Sequence, residues 1–235
     1  MDLPLVLLLR EPEAPDPYEE ALRANGFRAT SVPVLAFDYV GQERLREVLA
    51  APDAYGGLIA TSPRSVRTLA EVWPQTGTQN TWLAKPTYVV GPRTAEEMRR
   101  LGFDPKGEGA GSAEALAPLI APADRPLVFL CGNRTRDVLP TSLRAAGIPF
   151  EPVRVYKTRL RNDLDFSSLE APSWLVFFSP SGLEAVQREK GIDLHHVKKA
   201  AIGPTTAAAL QSAGLPPDAV AGTPTPEALL HALTL

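Results

Sequence analysis

Four short motifs occur twice in this chain, in the same order, and this repetition constrains the fold more than any other feature. The pairs, each named by its first residue, are LVLLL at Leu5 and LVFLC at Leu127, TSPRSV at Thr61 and FSPSGL at Phe178, VVGPRTAEEM at Val89 and AIGPTTAAAL at Ala201, and GSAEALAPLI at Gly111 and TPEALLHAL at Thr225. The first three pairs are separated by 122, 117 and 112 residues. Such a near-constant separation predicts an internal duplication.

Short apolar runs alternate with helical patterns along the chain, which is typical of an α/β protein with parallel sheets. The predicted strands are Leu5–Leu9, Leu58–Thr61, Tyr88–Val90, Leu127–Cys131, Leu175–Phe178 and Ala200–Ile202. The predicted helices include Tyr18–Asn25, Ser65–Val72, Ala95–Leu101 and Thr206–Ala213. Two extended, proline-containing segments, Ser31–Val40 and Phe150–Thr158, interrupt this alternation at equivalent places in the two repeats. We interpret them as connections between two domains.

Composition narrows the classes of protein that this chain can be. The sequence is 44% hydrophobic and 22% charged, so it can bury a core, and its net charge of -3 argues against a dedicated nucleic-acid binder. No apolar run reaches membrane-spanning length, and Leu3–Leu9 lacks a basic leader, so we expect a first strand in a cytoplasmic protein. One cysteine and three histidines give no metal-ligand spacing, and we expect no metal.

The GPRT and GPTT segments, at Gly91 and Gly203, follow predicted strands and open helices. Ligands of open parallel sheets bind at the carboxyl ends of strands, and the free N–H groups of a helix N-terminus attract anions. Thr94, Thr205 and Thr206 fit either simple helix caps or hydroxyls presented to a ligand. The sequence therefore predicts anion binding at these turns and leaves simple capping as the alternative.

Two serine–proline turns, at Ser62 and Ser179, form the second repeated strand end. A serine nucleophile is disfavoured because the Gly-x-Ser-x-Gly pattern is missing. These serines, with Arg64 and Ser181, are expected to lie beside the glycine turns. The two serine–proline turns fit helix capping and carboxylate binding equally well. Tyr156 lies on a predicted connector, where packing and a hydroxyl projecting between domains are both open.

Taken together, the motifs resemble the uroporphyrinogen-III synthase family over essentially the whole chain. The segments that carry the resemblance are DPYEEAL, TSPRSV, VVGPRTA, LCGNRTRDVLP, RVYKT, FFSPSGLEAV, AAIGPTTAAAL and PTPEAL. The resemblance implies two similar flavodoxin-like parallel-sheet α/β domains, joined by a two-stranded β ladder, with a substrate cleft between them. It places residues 1–34 with 158–235 in one domain and 41–149 in the other, with 31–40 and 150–158 as connectors.

The resemblance also implies an activity. The family cyclises hydroxymethylbilane, a linear tetrapyrrole, to uroporphyrinogen III with loss of water and inversion of the last ring, without a cofactor. Tyr156 matches the position of the acid that assists departure of the hydroxyl group. The positions that match or adjoin substrate-binding ones are Ser62, Arg64, Thr94, Asn133, Ser179, Ser181, Lys198, Thr205 and Thr206.

We expect the small tetrapyrrole as the only partner of a monomeric enzyme, with no nucleic acid and no membrane. Two other classes remain open from the sequence. A hinge-type binding protein for a small polyanion would bind without turnover, and a flavodoxin-like flavin protein would show a flavin spectrum.

Overall fold

A computed structural model describes residues 3–134, 137–167, 169–189 and 191–235 of the 235-residue chain. Its chain forms two compact units: unit 1 comprises Met1–Ala36 and Arg159–Leu235, and unit 2 comprises Phe37–Thr158. Each unit therefore has its own core, and unit 1 is assembled from the two ends of the chain.

The regular elements alternate between strands and helices. The strands are β1 (Leu5–Leu9), β2 (Arg28–Ser31), β3 (Leu35–Tyr39), β4 (Gly57–Ala60), β5 (Thr87–Val89), β6 (Pro105–Lys106), β7 (Leu127–Gly132), β8 (Phe150–Leu160), β9 (Trp174–Phe177), β10 (Lys198–Ala201) and β11 (Ala219–Val220). The helices are α1 (Pro17–Ala24), α2 (Gln42–Ala50), α3 (Pro63–Val72), α4 (Gln79–Leu83), α5 (Pro92–Arg100), α6 (Ala113–Leu116), α7 (Val138–Ala145), α8 (Pro180–Arg188), α9 (Pro204–Ser212) and α10 (Pro226–Thr234). Short 3₁₀ helices cover Pro52–Ala54, Trp73–Gln75 and Ala117–Leu119.

The sheet of unit 1 has five parallel strands in the order β2, β1, β9, β10, β11. Alternate side chains of a strand point to opposite faces, so each face carries its own core. On one face Leu7, Leu175 and Phe177 pack with residues of α8 and α9. On the other face Val6 and Val176 pack with residues of α1 and α10. The result is a three-layer α/β/α unit.

Unit 2 repeats this plan. Its strands follow the order β8, β7, β4, β5, β6, all parallel, with β3 added beyond β8. Leu58 and Leu130 pack with residues of α2, α3 and α5 on one face. Ile59 and Phe129 pack with residues of α6 and α7 on the other. The predicted α/β class with parallel sheets is confirmed.

The two sheets have the same topology, but each draws on both sequence repeats. β1 and β2 of unit 1 correspond in sheet position to β7 and β8 of unit 2, while β9, β10 and β11 correspond to β4, β5 and β6. The first sequence repeat thus supplies β1 and β2 to unit 1 and β4, β5 and β6 to unit 2. The second repeat does the reverse. Neither unit is one repeat folded on itself.

The segments interpreted as connectors are strands for most of their length. Phe150–Leu160 is β8, which pairs with β7 from Leu127 to Gly132, and Leu35–Tyr39 is β3 beside it. Val40 N–H donates to Val155 O in unit 2, and Arg161 N–H donates to Val34 O in unit 1. Residues 150–158 are therefore part of the sheet of unit 2 as well as a link to unit 1.

The predicted strands match the observed ones within two residues, but the predicted helices start one to three residues late. The observed first residues of these four helices are all prolines: Pro17, Pro63, Pro92 and Pro204. Proline is favoured at the first helical position because that N–H needs no partner and φ is already suitable. The prolines that precede the predicted helices therefore belong to the helices as their first residues.

Asp16 anchors the start of α1 and holds it against β2. Its carboxylate accepts the N–H groups of Tyr18 at 3.0 Å and Glu19 at 3.3 Å, and the hydroxyl of Ser31 at 3.1 Å. Burial by itself would raise the pKa of Asp16, but the Glu19 N–H, the charge of Arg10 and further hydrogen bonds outweigh it and hold that pKa below its ordinary value. The charged form is therefore the one that stabilises the fold.

We expect Asp16→Ala to lower the free energy of unfolding by about 1–3 kcal/mol, because the cap is lost and Ser31 loses its acceptor. Asp16→Asn should narrow the gap to wild type as the pH falls. Since the folded pKa lies below the ordinary 3.8, the stabilisation is complete above that value and is lost below it. Urea unfolding at pH 7 and pH 3 measures both effects, with the exposed Asp104→Asn as control. An unchanged midpoint for Asp16→Ala would contradict this account.

Candidate functional site

The predicted site residues lie mostly where strands end and helices begin. In each unit the carboxyl ends of the parallel strands share one edge of the sheet. Helices α3 and α5 begin at that edge in unit 2, and α8 and α9 begin at it in unit 1, each with a proline as its first residue. Helix N-termini present unpaired N–H groups, so both edges favour anions.

In unit 2 the structure brings Ser62 and Tyr156 together. Ser62 is the N-cap of α3, and its Oγ accepts the N–H of Ser65 at 3.3 Å. The same Oγ donates to the hydroxyl of Tyr156, also at 3.3 Å. The Tyr156 ring is half-buried against the core, while its hydroxyl lies at the carboxyl edge. A phenol oxygen that accepts a hydrogen bond is a better donor of its own proton, because hydrogen bonds in a chain polarise one another.

Tyr156 sits on β8 opposite Gly132, the last residue of β7. The register shifts there: Cys131 pairs with Arg154 and Gly132 pairs with Tyr156, so Val155 is an extra residue in β8. Asn133 follows at once, and its side-chain amide accepts the N–H of Thr158 at 2.7 Å and donates to the Thr158 carbonyl at 3.1 Å. Asn133, predicted to bind substrate, thus uses a donor and an acceptor to hold β8. Thr135 and Arg136 of the same motif lie outside the described residues.

Arg64 occupies the first turn of α3, close to Ser62. Its guanidinium carbon lies 3.8 Å from the centroid of the Phe37 ring, a stacked cation–π contact. Stacking uses the face of the guanidinium and leaves the N–H groups at its edge directed outward, where they match the geometry of a carboxylate. The contact with Phe37 thus restricts the position of the Arg64 guanidinium.

The corresponding edge of unit 1 carries Ser179 and Ser181 at the start of α8. Ser179 is the N-cap in sequence position, yet its side chain makes no capping bond, unlike Ser62. Ser181 lies in the first turn and is partly exposed. The repeated serine thus makes a capping bond in unit 2 and makes none in unit 1.

The two glycine turns also differ. Gly91, before α5, has φ of +79°, a region that favours glycine, whereas Gly203, before α9, is extended with φ of 178°. Both have open space beside them, because no described atom outside the adjoining residues lies within 4 Å of a Cβ placed at either glycine. Thr94 and Thr206 occupy the third helical position and are 2% and 3% exposed, so these hydroxyls are packed inward. Thr205, by contrast, is exposed.

Lys198 is not brought together with the other predicted site residues. It is the first residue of β10, at the amino edge of the unit 1 sheet, and its Nζ lies 5.1 Å from the centroid of the Trp174 ring. Because a strand rises about 3.3 Å per residue, Lys198 is about 10 Å from the carboxyl end of its own strand. The structure thus places Lys198 at the edge opposite the strand ends that carry the other predicted site residues, and its role in substrate binding stays a prediction.

Sequence reasoning missed Arg10, a cation at the carboxyl edge of unit 1. It follows β1, and its guanidinium carbon lies 5.0 Å from the Tyr18 ring centroid and 5.1 Å from that of Phe178. Its Nη2 is paired with Glu13 at 2.7 Å. The repeat gave no signal for it, because the equivalent position 122 residues later is Gly132.

The described residues include neither a metal-ligand cluster nor a membrane-spanning helix. No group of three or more histidine, cysteine, aspartate or glutamate side chains there is placed to hold a metal ion. No helix in that part of the chain has the length and apolar character needed to cross a membrane.

Comparisons with known proteins agree on one family. A family model described as uroporphyrinogen-III synthase HemD matches residues 16–231. The uroporphyrinogen-III synthases of Schizosaccharomyces pombe and Saccharomyces cerevisiae are each 33% identical to the chain, and the alignments cover 97% and 98% of it and 95% of each relative.

Solved structures share the fold. The uroporphyrinogen-III synthetase of Helicobacter pylori aligns with a TM-score of 0.69 at 23% identity over 99% of both chains. A mutant uroporphyrinogen III synthase from Thermus thermophilus aligns with a TM-score of 0.61 at 20% identity, over 98% of this chain and 97% of that one.

The contrast between the two repeated serines gives a matched pair of variants. We expect Ser62→Ala to lower the free energy of unfolding by about 0.5–2 kcal/mol, because it removes a helix cap. Ser179→Ala should stay within about 0.5 kcal/mol of wild type, since no capping bond is lost. Urea denaturation of both variants measures the difference. Equal losses would show that the capping contrast is not a property of the folded protein.

Proposed function

Because the chain belongs to the uroporphyrinogen-III synthase family, we propose that it closes linear hydroxymethylbilane to uroporphyrinogen III, with loss of one water and inversion of the last pyrrole ring. The chain is an enzyme of the lyase class in tetrapyrrole synthesis. The proposals below assign roles in this reaction to its own residues.

The reaction requires the uptake of one proton, the release of another, and a fixed arrangement of the reacting ends. The hydroxyl of the hydroxymethyl group accepts a proton and leaves as water, which breaks the C–O bond and makes the carbon that carried it electrophilic. The last ring attacks that carbon through its own substituted position, giving a spiro intermediate that opens and recloses with the ring inverted. The final loss of a proton restores the aromatic ring, so one proton is taken up and one is released. Positioning of the reacting ends supplies most of the required rate enhancement.

We assign the proton donor to Tyr156, and the observation that carries this role is the hydrogen bond from Ser62 Oγ to the Tyr156 hydroxyl. Ser62 fixes the oxygen and occupies one of its lone pairs. The phenol proton is then directed elsewhere, to the leaving hydroxyl.

The substrate carries eight carboxylates, and the two carboxyl edges offer donors that suit them. In unit 2 we assign Arg64 and the first turn of α5 to this task. In unit 1 we assign Ser179, Ser181 and Thr205, with the backbone N–H groups that open α8 and α9. The extended φ of Gly203 is one that any residue can adopt, so the backbone angle does not require a glycine there. The open space beside it, which a side chain would fill, supports close approach of a carboxylate to the backbone.

The proposal includes a cytoplasmic monomer that needs neither nucleic acid nor membrane as partner. The net charge of -3 offers no excess of cations for a polyanionic surface. The single cysteine, Cys131, is buried, so the fold uses no disulfide and suits a reducing compartment.

The activity is tested directly by incubating the protein with freshly prepared hydroxymethylbilane and separating the isomers of the product. We expect isomer III, whereas the unassisted reaction gives the uninverted isomer I. Isomer I alone at the uncatalysed rate would overturn the proposal. Saturable binding of the tetrapyrrole without turnover would instead favour a binding protein.

We expect Tyr156→Phe to lower turnover by roughly 10²-fold, the lower end of general-acid effects, because this substrate ionises readily. Isomer III should remain the product, since ring inversion follows from positioning. Thr205→Ala should cost less, because a carboxylate there keeps its backbone N–H donors. Initial rates with both variants test this order, and melting temperatures close to wild type exclude unfolding as the cause. Full activity of Tyr156→Phe would contradict the proton-donor role and leave Tyr156 as a packing residue.

A further inference from the structure

Gly132 lies directly beneath the reactive end of Tyr156. A Cβ placed on Gly132 would stand 2.5 Å from Cζ, 2.6 Å from Cε2 and 2.9 Å from the hydroxyl oxygen of Tyr156. Real Cβ atoms do not approach heavy atoms this closely, so any larger residue at position 132 displaces the phenol. The hydroxyl then leaves the place where Ser62 holds it at 3.3 Å. Glycine is needed here for close approach, not for a special backbone angle.

The backbone around this contact is irregular in a way that sets the direction of the Tyr156 side chain. Val155 is the extra residue where β8 passes the end of β7, and its side chain is fully buried in the core. Without the bulge, Val155 would face Gly132 and Tyr156 would pair one residue further on. A bulge of this kind redirects a side chain at the edge of a sheet.

Asn133 holds the strand on the far side of Tyr156. Its amide forms both bonds that a neighbouring strand would form with Thr158, two residues beyond Tyr156. On the near side, the hydroxyl of Thr68 in α3 donates to the carbonyl of Val155 at 2.8 Å. Hydrogen bonds therefore hold the backbone on both sides of Tyr156, at Val155 before it and at Thr158 after it.

We propose that Gly132 and Asn133 are positioning residues for Tyr156: Gly132 provides the space in which the phenol lies, and Asn133 fixes the strand that carries it. The proposal rests on the function assigned to Tyr156 above. It also replaces the substrate-binding role that the sequence suggested for Asn133.

The test is a double-mutant cycle with freshly prepared hydroxymethylbilane. We expect Gly132→Ala to lower kcat roughly 10- to 100-fold, since a displacement of about 1 Å in a catalytic group has effects of this size. KM should change less than about twofold, because the carboxylate donors stay in place. In a Tyr156→Phe background the same change should cost less than about twofold. Gly109→Ala, which adds a Cβ with no described atom within 4 Å, is the matched control and should keep wild-type activity.

Asn133→Ala provides a second cycle if Gly132→Ala folds poorly, because the Asn133 side chain is exposed. We expect a smaller fall in kcat that again disappears in the Tyr156→Phe background. The proposal would be overturned if Gly132→Ala and Asn133→Ala each lowered kcat by the same factor in the Tyr156→Phe background as in wild type. The two residues would then act independently of the phenol.

A structural measurement separates this inference from the proposed function. Crystal structures of wild type and Gly132→Ala give the distance between Ser62 Oγ and the Tyr156 hydroxyl oxygen without any assay. We expect it to lengthen in the variant, and an unchanged distance would overturn the positioning role. Absence of isomer III from the wild-type reaction would contradict the proposed function alone, because the distance would still decide the structural claim.

Discussion

The pairing of β1 with β9 is the contact on which the architecture depends. It joins Val6 to Trp174 and Leu9 to Phe177, and so brings the two ends of the chain into one sheet. Val6–Leu9 and Leu175–Phe177 are almost completely buried, and each such side chain contributes about 1.5–3 kcal/mol. Because this pair closes unit 1, the chain between must leave it and return, which is why β3 and β8 pass from one unit to the other.

Each sheet contains strands from both sequence repeats, so the two copies of a repeated motif have different neighbours. Ser62 and Ser179 occupy the same place in their repeats, yet only the first has a tyrosine hydroxyl beside it, because β8 continues past β7 in unit 2. In unit 1 the shorter β2 ends at Ser31, which bonds to Asp16 instead. The edge of unit 2 thus has a tyrosine hydroxyl beside a helix N-terminus, while that of unit 1 has helix N-termini and small hydroxyls.

The chemistry explains why no acid–base cluster is present in the sequence pattern. A substrate that ionises readily needs one donor and a fixed arrangement of its ends, and fixed dipoles serve the second purpose without titrating. The groups assigned here are backbone N–H groups, hydroxyls and a stacked arginine, which hold their charge distribution across the physiological pH range. The proposed donor, Tyr156, must be held in a precise position, and the bulge, Gly132 and Asn133 are the features that can hold it there.

The sequence by itself determined the local elements, the duplication, the family and the strand ends where Ser62, Ser179 and Thr205 lie, because these follow from periodicity, turn chemistry and repeated motifs. It did not determine the orientation of individual side chains. The inward packing of Thr94 and Thr206 depends on which face of the helix meets the sheet, and the displacement of Lys198 depends on strand direction. Which half of each repeat joins which unit, and the contact of Tyr156 with Gly132, arise only in the tertiary structure, because strand pairing between distant segments is decided by burial that no local pattern encodes.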